Sequence, residues 1–161
     1  VIAAINGVAV GGGLDFACAC DIRIASDKAR FAELFIRRGI IPAMGGTFFM
    51  PRLVGIDRAL QLSLTGDMID AREAERIGLV TMVVPHEELE SATRELAEKL
   101  AKSAPLAIQR TKRAMYQGLG MDSQSSMESA ASANKELSQT EDRKEGVRAF
   151  VEKRQPVFKG R

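Results

Sequence analysis

Ala9-Val10-Gly11-Gly12-Gly13-Leu14-Asp15-Phe16-Ala17-Cys18-Ala19-Cys20 is the stretch on which the fold turns. The short apolar run Val8-Ala9-Val10 enters three consecutive glycines, and a run of small apolar residues leaves them. Glycines strip the side chains from a backbone crossing and leave amides at a helix N-terminus free to face an anion or a developing negative charge. The reading is therefore strand, turn, then a buried helix from Leu14 to Cys20 closed by Asp21. Upstream, Val1-Ile2-Ala3-Ala4-Ile5 is a buried strand ended by the turn pair Asn6-Gly7. Downstream, Ile22-Arg23-Ile24-Ala25 alternates like a strand and Ser26-Asp27 turns the chain. Phe31 to Ile41 forms a further extended or short helical piece, followed by Pro42 and the pair Gly45-Gly46.

From there the pattern becomes helical. Thr47 to Leu53 and Asp57 to Leu64 read as short helices stopped by Gly55 and Gly66. Asp70-Ala71-Arg72-Glu73 has capping-box spacing, and Gly78 sits where a left-handed C-cap belongs. Leu79 to Val84 reads as one more strand, ended by Pro85. Leu89, Ala92, Leu96 and Leu100 recur at helical spacing, and Pro105 opens the next helix at its first turn. Gln117 to Gln124 reads as a loop, followed by helices over 125–137 and 141–154 and a basic tail. Strands and glycine turns fill the first half and helices the second, which predicts a mixed α/β core with a helical C-terminal extension.

Composition narrows the function classes. The chain has 161 residues, 45% hydrophobic and 27% charged, and its 23 basic and 21 acidic residues leave a formal charge of +2. That is enough chain for a real core in one domain, and the near-cancelling charge argues against disorder. Nucleic-acid binding is not expected, because there is no large basic excess and the seven Phe and one Tyr are scattered. No apolar run approaches membrane-spanning length, so no membrane partner is expected. Val1 opens directly in a strand, which reads as a fragment or a chain whose front part is missing. Cys18 and Cys20 are too close for an easy disulfide and have no zinc-site companions, so they read as small thiols in a reducing cytoplasm. The only histidine, His86, follows Pro85 at a helix start and reads as solvent-facing, which excludes a Ser-His-Asp hydrolase.

The glycines have few chemical uses left. The third position of a dinucleotide fingerprint is Phe16, Asp27 lies in a turn, and a phosphate loop ending in Gly-Lys-Ser/Thr is absent. An oxyanion hole remains, beside the plain alternative of a tight strand–helix contact.

Taken together, the ordered segments resemble the crotonase superfamily, the enoyl-CoA hydratases and isomerases. The matching pieces are Val1-Ile-Ala-Ala-Ile-Asn-Gly, Ala9-Val-Gly-Gly-Gly-Leu-Asp-Phe, Cys20-Asp-Ile-Arg, Phe31 through Gly39, and Gly45-Gly46-Thr47 with Pro51-Arg52-Leu53-Val54-Gly55. Leu64-Thr65-Gly66-Asp67, the stretch from Ala71 to Val80 and the terminal Glu145 to Arg154 continue the match. The resemblance implies a crotonase-like (ClpP/crotonase) α/β fold of ββα turns wound into a spiral. Residues 1–85 would be the C-terminal part of that spiral and 86–161 a helical region supporting trimer packing. It implies an acyl-CoA thioester as substrate, coenzyme A being part of it, with no other cofactor and no metal. It further implies a cytoplasmic homo-oligomer, a trimer or dimer of trimers. Such a piece would expose apolar surface where earlier spiral turns pack, and would depend on oligomerisation.

The resemblance also assigns residues. Gly12 would be an oxyanion donor to the thioester oxygen, with Gly11 beside it on the substrate-binding surface. Asp15 takes the place of the family's first acid. It is one methylene shorter than the hydratases' Glu and similar to the Asp of dienoyl-CoA isomerases. An acid among Leu14, Phe16 and Ala17 is hard to bury without a purpose. The second family acid falls on Phe35, and the isomerases' later acid on Ala43, so neither pattern is complete. Glu33 either substitutes for the missing acid or is a solvated charge. Phe35 and Ile36 read as acyl-pocket or core residues, and Met44 as an acyl-pocket residue. Phe158 and Lys159 match a tail that, in relatives, contacts the CoA adenine or phosphates of a neighbouring subunit, with a frayed basic tail as the alternative. The rival functions are a crotonase-like acyl-CoA carrier without chemistry and an inactive fragment lacking its N-terminal half.

Overall fold

The computed structural model describes residues 1–161. It divides into two compact units, Val1–Leu96 and Ala97–Arg161.

In the first unit, β1 (Ile2–Ile5), β2 (Val8–Val10) and α1 (Gly12–Ala19) form one ββα turn. β3 (Ile22–Ser26), β4 (Arg30–Ala32), a 3₁₀ turn over Leu34–Arg38, α2 (Gly46–Val54) and α3 (Ile56–Thr65) form the next. β1 pairs in parallel with β3, from Ile2↔Ile22 to Ile5↔Ala25, and β2 in parallel with β4, from Val8↔Arg30 to Val10↔Ala32. First strand lies on first strand and second on second, so successive turns stack as a spiral. A third, shorter turn follows with β5 (Ile69–Asp70), α4 (Ala71–Arg76) and β6 (Met82–Val84). β5 runs antiparallel to β4 and β6 parallel to β3, giving two three-stranded sheets. α5 (Leu89–Ala101) contains the division between the units.

Leu14, Phe31, Met50, Leu62 and Leu79 lie in the core of this unit, with Ala25, Ala29, Ala71 and Ala74 allowing close backbone approach. Each large side chain so buried contributes about 1.5–3 kcal/mol, the reserve against which buried polar groups are set. Arg23 is one such group. Its Nε donates to the Leu79 carbonyl at 2.8 Å and its Nη1 to that of Cys20 at 2.6 Å.

The strand expected over Leu79–Val84 is shorter, Met82–Val84. The amides of Leu79 and Val80 both turn back to the Ala74 carbonyl, at 2.8 and 3.2 Å, and close the C-terminus of α4. Those donors are no longer available to a sheet. Asp70 caps α4 by accepting from the Glu73 amide at 2.8 Å, while the Glu73 carboxylate turns to Arg76 and leaves the box half-made.

The second unit contains α6 (Pro105–Gly118), α7 (Ser123–Leu137) and α8 (Glu141–Val151). Only residues 119–122 separate α6 from α7, fewer than the expected Gln117–Gln124, because α6 keeps Gly118 and Asp122 caps α7 through the Ser125 amide at 3.0 Å. α8 stops at Val151 because Lys153 adopts a left-handed conformation and the Arg154 amide bonds back to Ala149 at 3.0 Å. The tail is not unstructured. Asp142 accepts from the amides of Lys159 (2.6 Å) and Gly160 (2.9 Å), and Glu145 from that of Val157 (3.0 Å). No helix of the chain is long and apolar enough to cross a membrane.

Candidate active site

β2 and β4 are parallel, so their carboxyl ends finish at one edge of the sheet, the edge at which α/β proteins place ligands. The last paired residues are Val10 and Ala32, and the next residues are Gly11 and Glu33. The Gly11 amide still donates to the Ala32 carbonyl at 3.0 Å. Gly11 then takes φ +52°, a conformation that glycine enters without penalty, and turns the strand directly into α1. A Cβ there would lie 3.5 Å from the Phe35 ring. Because α1 begins at Gly12, the amides of Gly12, Gly13 and Leu14 have no acceptor within the helix. A Cβ on Gly12 would lie 2.9 Å from Met44 Sδ. The aromatic ring and the thioether thus both sit against the Gly11–Gly12 peptide, leaving it an apolar setting.

α1 buries Leu14, Asp15, Ala17 and Cys18. Asp15 is fully buried, with Oδ2 accepting from the Met44 amide at 3.2 Å and Oδ1 without any partner. Glu33 is also fully buried, on extended backbone (φ −93°, ψ 91°) between β4 and the 3₁₀ turn, and neither of its oxygens has a partner. The reading of Glu33 as a solvated charge is overturned: the chain has not yet left the interior when it passes residue 33. Burial pushes the Glu33 carboxyl up to about 8, helped by the negative charge of Asp15. Near neutral pH Glu33 therefore keeps its proton. Cys18 lies one turn along the same face of α1. Burial pushes its thiol up to about 12 against the pull of Arg23, with Glu33 and Asp15 adding to the rise, so it stays protonated and unreactive.

A second contact on Asp15 was not read from the sequence. A Cβ on Gly46 would fall 2.1 Å from Asp15 Oδ1 and 2.9 Å from Pro42 Cβ, so the carboxylate rests against bare backbone at the start of α2. The signal available was the Gly45-Gly46 pair before a helix.

The other expected positions are scattered. Phe35 is half-buried, whereas Ile36 is 41% exposed and does not join the core, because the 3₁₀ turn rotates it outward. Met44 is 54% exposed. Phe158 and Lys159 lie in the other unit, where the Phe158 ring packs 3.6 Å from where a Cβ on Gly146 would be and the Lys159 side chain is exposed. Exposed His86 places Nδ1 3.0 Å from Ser26 Oγ, but Ser26 is buried and Asp27 meets the hydroxyl (3.3 Å) rather than the imidazole. That trio braces a turn and is no hydrolytic triad. No cluster of three His, Cys, Asp or Glu side chains could hold a metal ion.

Comparison with known proteins places the whole chain in one family and fold. A family model described as enoyl-CoA hydratase/isomerase matches residues 1–161. The short-chain-enoyl-CoA hydratase of Clostridium acetobutylicum is 45% identical over 154 residues, covering 96% of this chain and 59% of that protein. The (E)-benzylidenesuccinyl-CoA hydratase of Thauera aromatica is 44% identical over 160 residues, covering 99% of this chain and 62% of that one. Among solved structures, an enoyl-CoA hydratase from Bacillus anthracis superposes with a TM-score of 0.98 at 43% identity, covering all of this chain and 62% of its own. The chain therefore spans less than two thirds of the length of these relatives.

Proposed function

Because this chain belongs to the enoyl-CoA hydratase/isomerase family and has the crotonase fold, we propose that it processes an enoyl-CoA thioester through an enolate. The observation that carries this reading is the Asp15–Glu33 pair, two buried carboxyls with three unpartnered oxygens beside a helix start whose amides are open. A folded chain does not bury acids without partners unless they act.

In the proposed step the Gly12 amide donates to the thioester oxygen and stabilises the negative charge that develops there. Asp15 takes a proton from the α-carbon of a 3-enoyl thioester, the electron pair moves onto the oxygen, and the same proton returns at the γ-carbon to give the 2-enoyl isomer. No atom is gained or lost. Glu33, kept protonated near neutral pH by its burial, adds no second negative charge beside the reacting atoms. Phe35, an apolar ring where family hydratases carry their second acid, favours this proton transfer over water addition. Hydration remains the second reading, with Glu33 supplying the missing acid function. Gly11, Phe35 and Met44 would bound the acyl group, and Phe158 and Lys159 would meet the CoA moiety held by a neighbouring subunit. Ile56, Leu60 and Leu64, spaced along one exposed side of α3, support burial in a homo-oligomer, in the proposal a cytoplasmic trimer without a further cofactor.

The test runs a 3-enoyl-CoA and crotonyl-CoA side by side, following gain or loss of the conjugated thioester absorbance. Gain from the first and little loss from the second is expected, both absent in Asp15→Ala. Binding of both thioesters without turnover would instead establish a carrier.

A further inference from the structure

We infer that the segment Ala43–Gly46 is the positioning element of the site, with Gly46 setting where the Asp15 carboxylate stands. The segment touches both halves of the proposed chemistry. The Met44 amide donates to Asp15 Oδ2 at 3.2 Å, and the Met44 thioether lies against Gly12. One residue thus links the acid and the oxyanion amide. Gly46 completes the seat by omission. The 2.1 Å between Asp15 Oδ1 and a Cβ at this position is far inside van der Waals contact, and Asp15 Cγ lies only 3.0 Å from it.

Pairing fails to explain this arrangement. Asp15 Oδ1 gains no hydrogen bond from it, so the close approach does not serve to satisfy the carboxylate. What it supplies is a stop. The carboxylate lies between α1, which carries it, and the start of α2, and these two helices bury Leu14 and Met50 in the core. Gly46 is therefore a positioning residue that acts through Asp15, a role that rests on the reading of Asp15 as the acid/base only where turnover is concerned.

The experiment combines turnover with a stability cycle on the natural chain. Gly46→Ala is expected to lower kcat roughly 10- to 100-fold, as a displaced reacting group does, with KM within about twofold. It is also expected to lower Tm in the wild-type background and to cost less than about half as many degrees alongside Asp15→Ala. The contact with Pro42 is common to both backgrounds and cancels, so the difference isolates the carboxylate. If Gly46→Ala alone does not fold, the double variant is expected to fold. Equal destabilisation in both backgrounds, or an unfolded double variant, overturns the inference. So does an unchanged kcat in a protein whose cycle is non-additive. A wild-type chain that turns over no enoyl-CoA sinks the proposed function alone, since the stability cycle still reads the contact.

Discussion

Asp15 and Asp142 are both buried acids, and the chain treats them in opposite ways. In the helical unit, Asp142 accepts from the amides of Lys159 and Gly160, while its neighbour Glu145 takes the Arg154 guanidinium and the Val157 amide. At the end of β2 and β4, Asp15 and Glu33 leave three oxygens with nothing but each other. A satisfied carboxylate organises its surroundings, as the clamped tail does. An unsatisfied one destabilises them, by about 1–3 kcal/mol for each buried group left unpaired. The difference separates acids that brace the fold from acids left without partners, which burial alone does not.

The sharpest way to break the comparison is to remove one acid from the unsatisfied pair. Asp15→Ala is expected to lower kcat about 10²- to 10⁴-fold, the range for loss of a general acid/base. Near-ultraviolet circular dichroism should stay native, because the substitution deletes a group that had a single hydrogen bond. Retained turnover would return Asp15 to the structural class.

Glu33 gives the next largest effect, through pH. Its folded pKa, about 8, lies above its ordinary value of 4.5, so between those limits the folded chain binds more protons than the unfolded chain. Stability from this group is therefore fully present below about 4.5 and is lost as pH rises through about 8. The slope is at most about 1.4 kcal/mol per pH unit. Urea unfolding at pH 5, 6.5 and 8 should show stability falling with pH, and Glu33→Gln should flatten the fall. A wild-type profile already flat across this window would mean that burial does not raise the Glu33 carboxyl.

Why the sequence yields Asp15 but only half of Glu33 follows from local geometry. Asp15 stands in a helix, where Leu14, Ala17 and Cys18 mark its buried face by spacing alone, so an acid on that face is conspicuous. Glu33 stands where a strand gives way to a 3₁₀ turn, and its direction depends on which backbone it follows. On β4 it continues the interior run of Phe31 and Ala32, while Ile36, only three residues on, is turned to solvent. The mixed α/β core was legible in the strand–glycine–helix units, because each needs only neighbouring residues to be recognised, whereas the spiral was implied only by the family resemblance. The Gly46–Asp15 contact was not, because it joins residues whose meeting is decided by how two ββα turns stack. The same limit hid the end of α4: Leu79 and Val80 have the composition of a strand, and the competing acceptor, the Ala74 carbonyl, is visible only once the helix has closed.

In the helical unit, the corresponding test is Asp142→Ala. It leaves the Lys159 and Gly160 amides without acceptors, and the expected cost is about 1–3 kcal/mol in chemical unfolding. Amide exchange at Lys159 and Gly160 should speed up while exchange in β1 and β3 is unchanged. Asp142→Asn should recover part of the loss, since one oxygen remains to accept. No change in exchange at the tail would mean the clamp contributes nothing.

The smallest effect lies at Glu145, and its sign is the reverse of that at Glu33. The hydrogen bonds of Arg154 hold the Glu145 carboxyl down to about 2, with the Val157 amide assisting. Its contribution is present above the ordinary value of 4.5 and is lost as pH falls towards about 2. Solvent screens such a pair, so Glu145→Gln should reduce acid sensitivity only slightly between pH 4.5 and pH 3 and leave the slope above pH 5 untouched. Glu33→Gln should do the opposite, altering the slope above pH 5 and leaving the acid limb as it was. Both variants affecting the same limb would mean that the titrations report a global charge effect, and the distinction between partnered and unpartnered acids would lose its basis in pH.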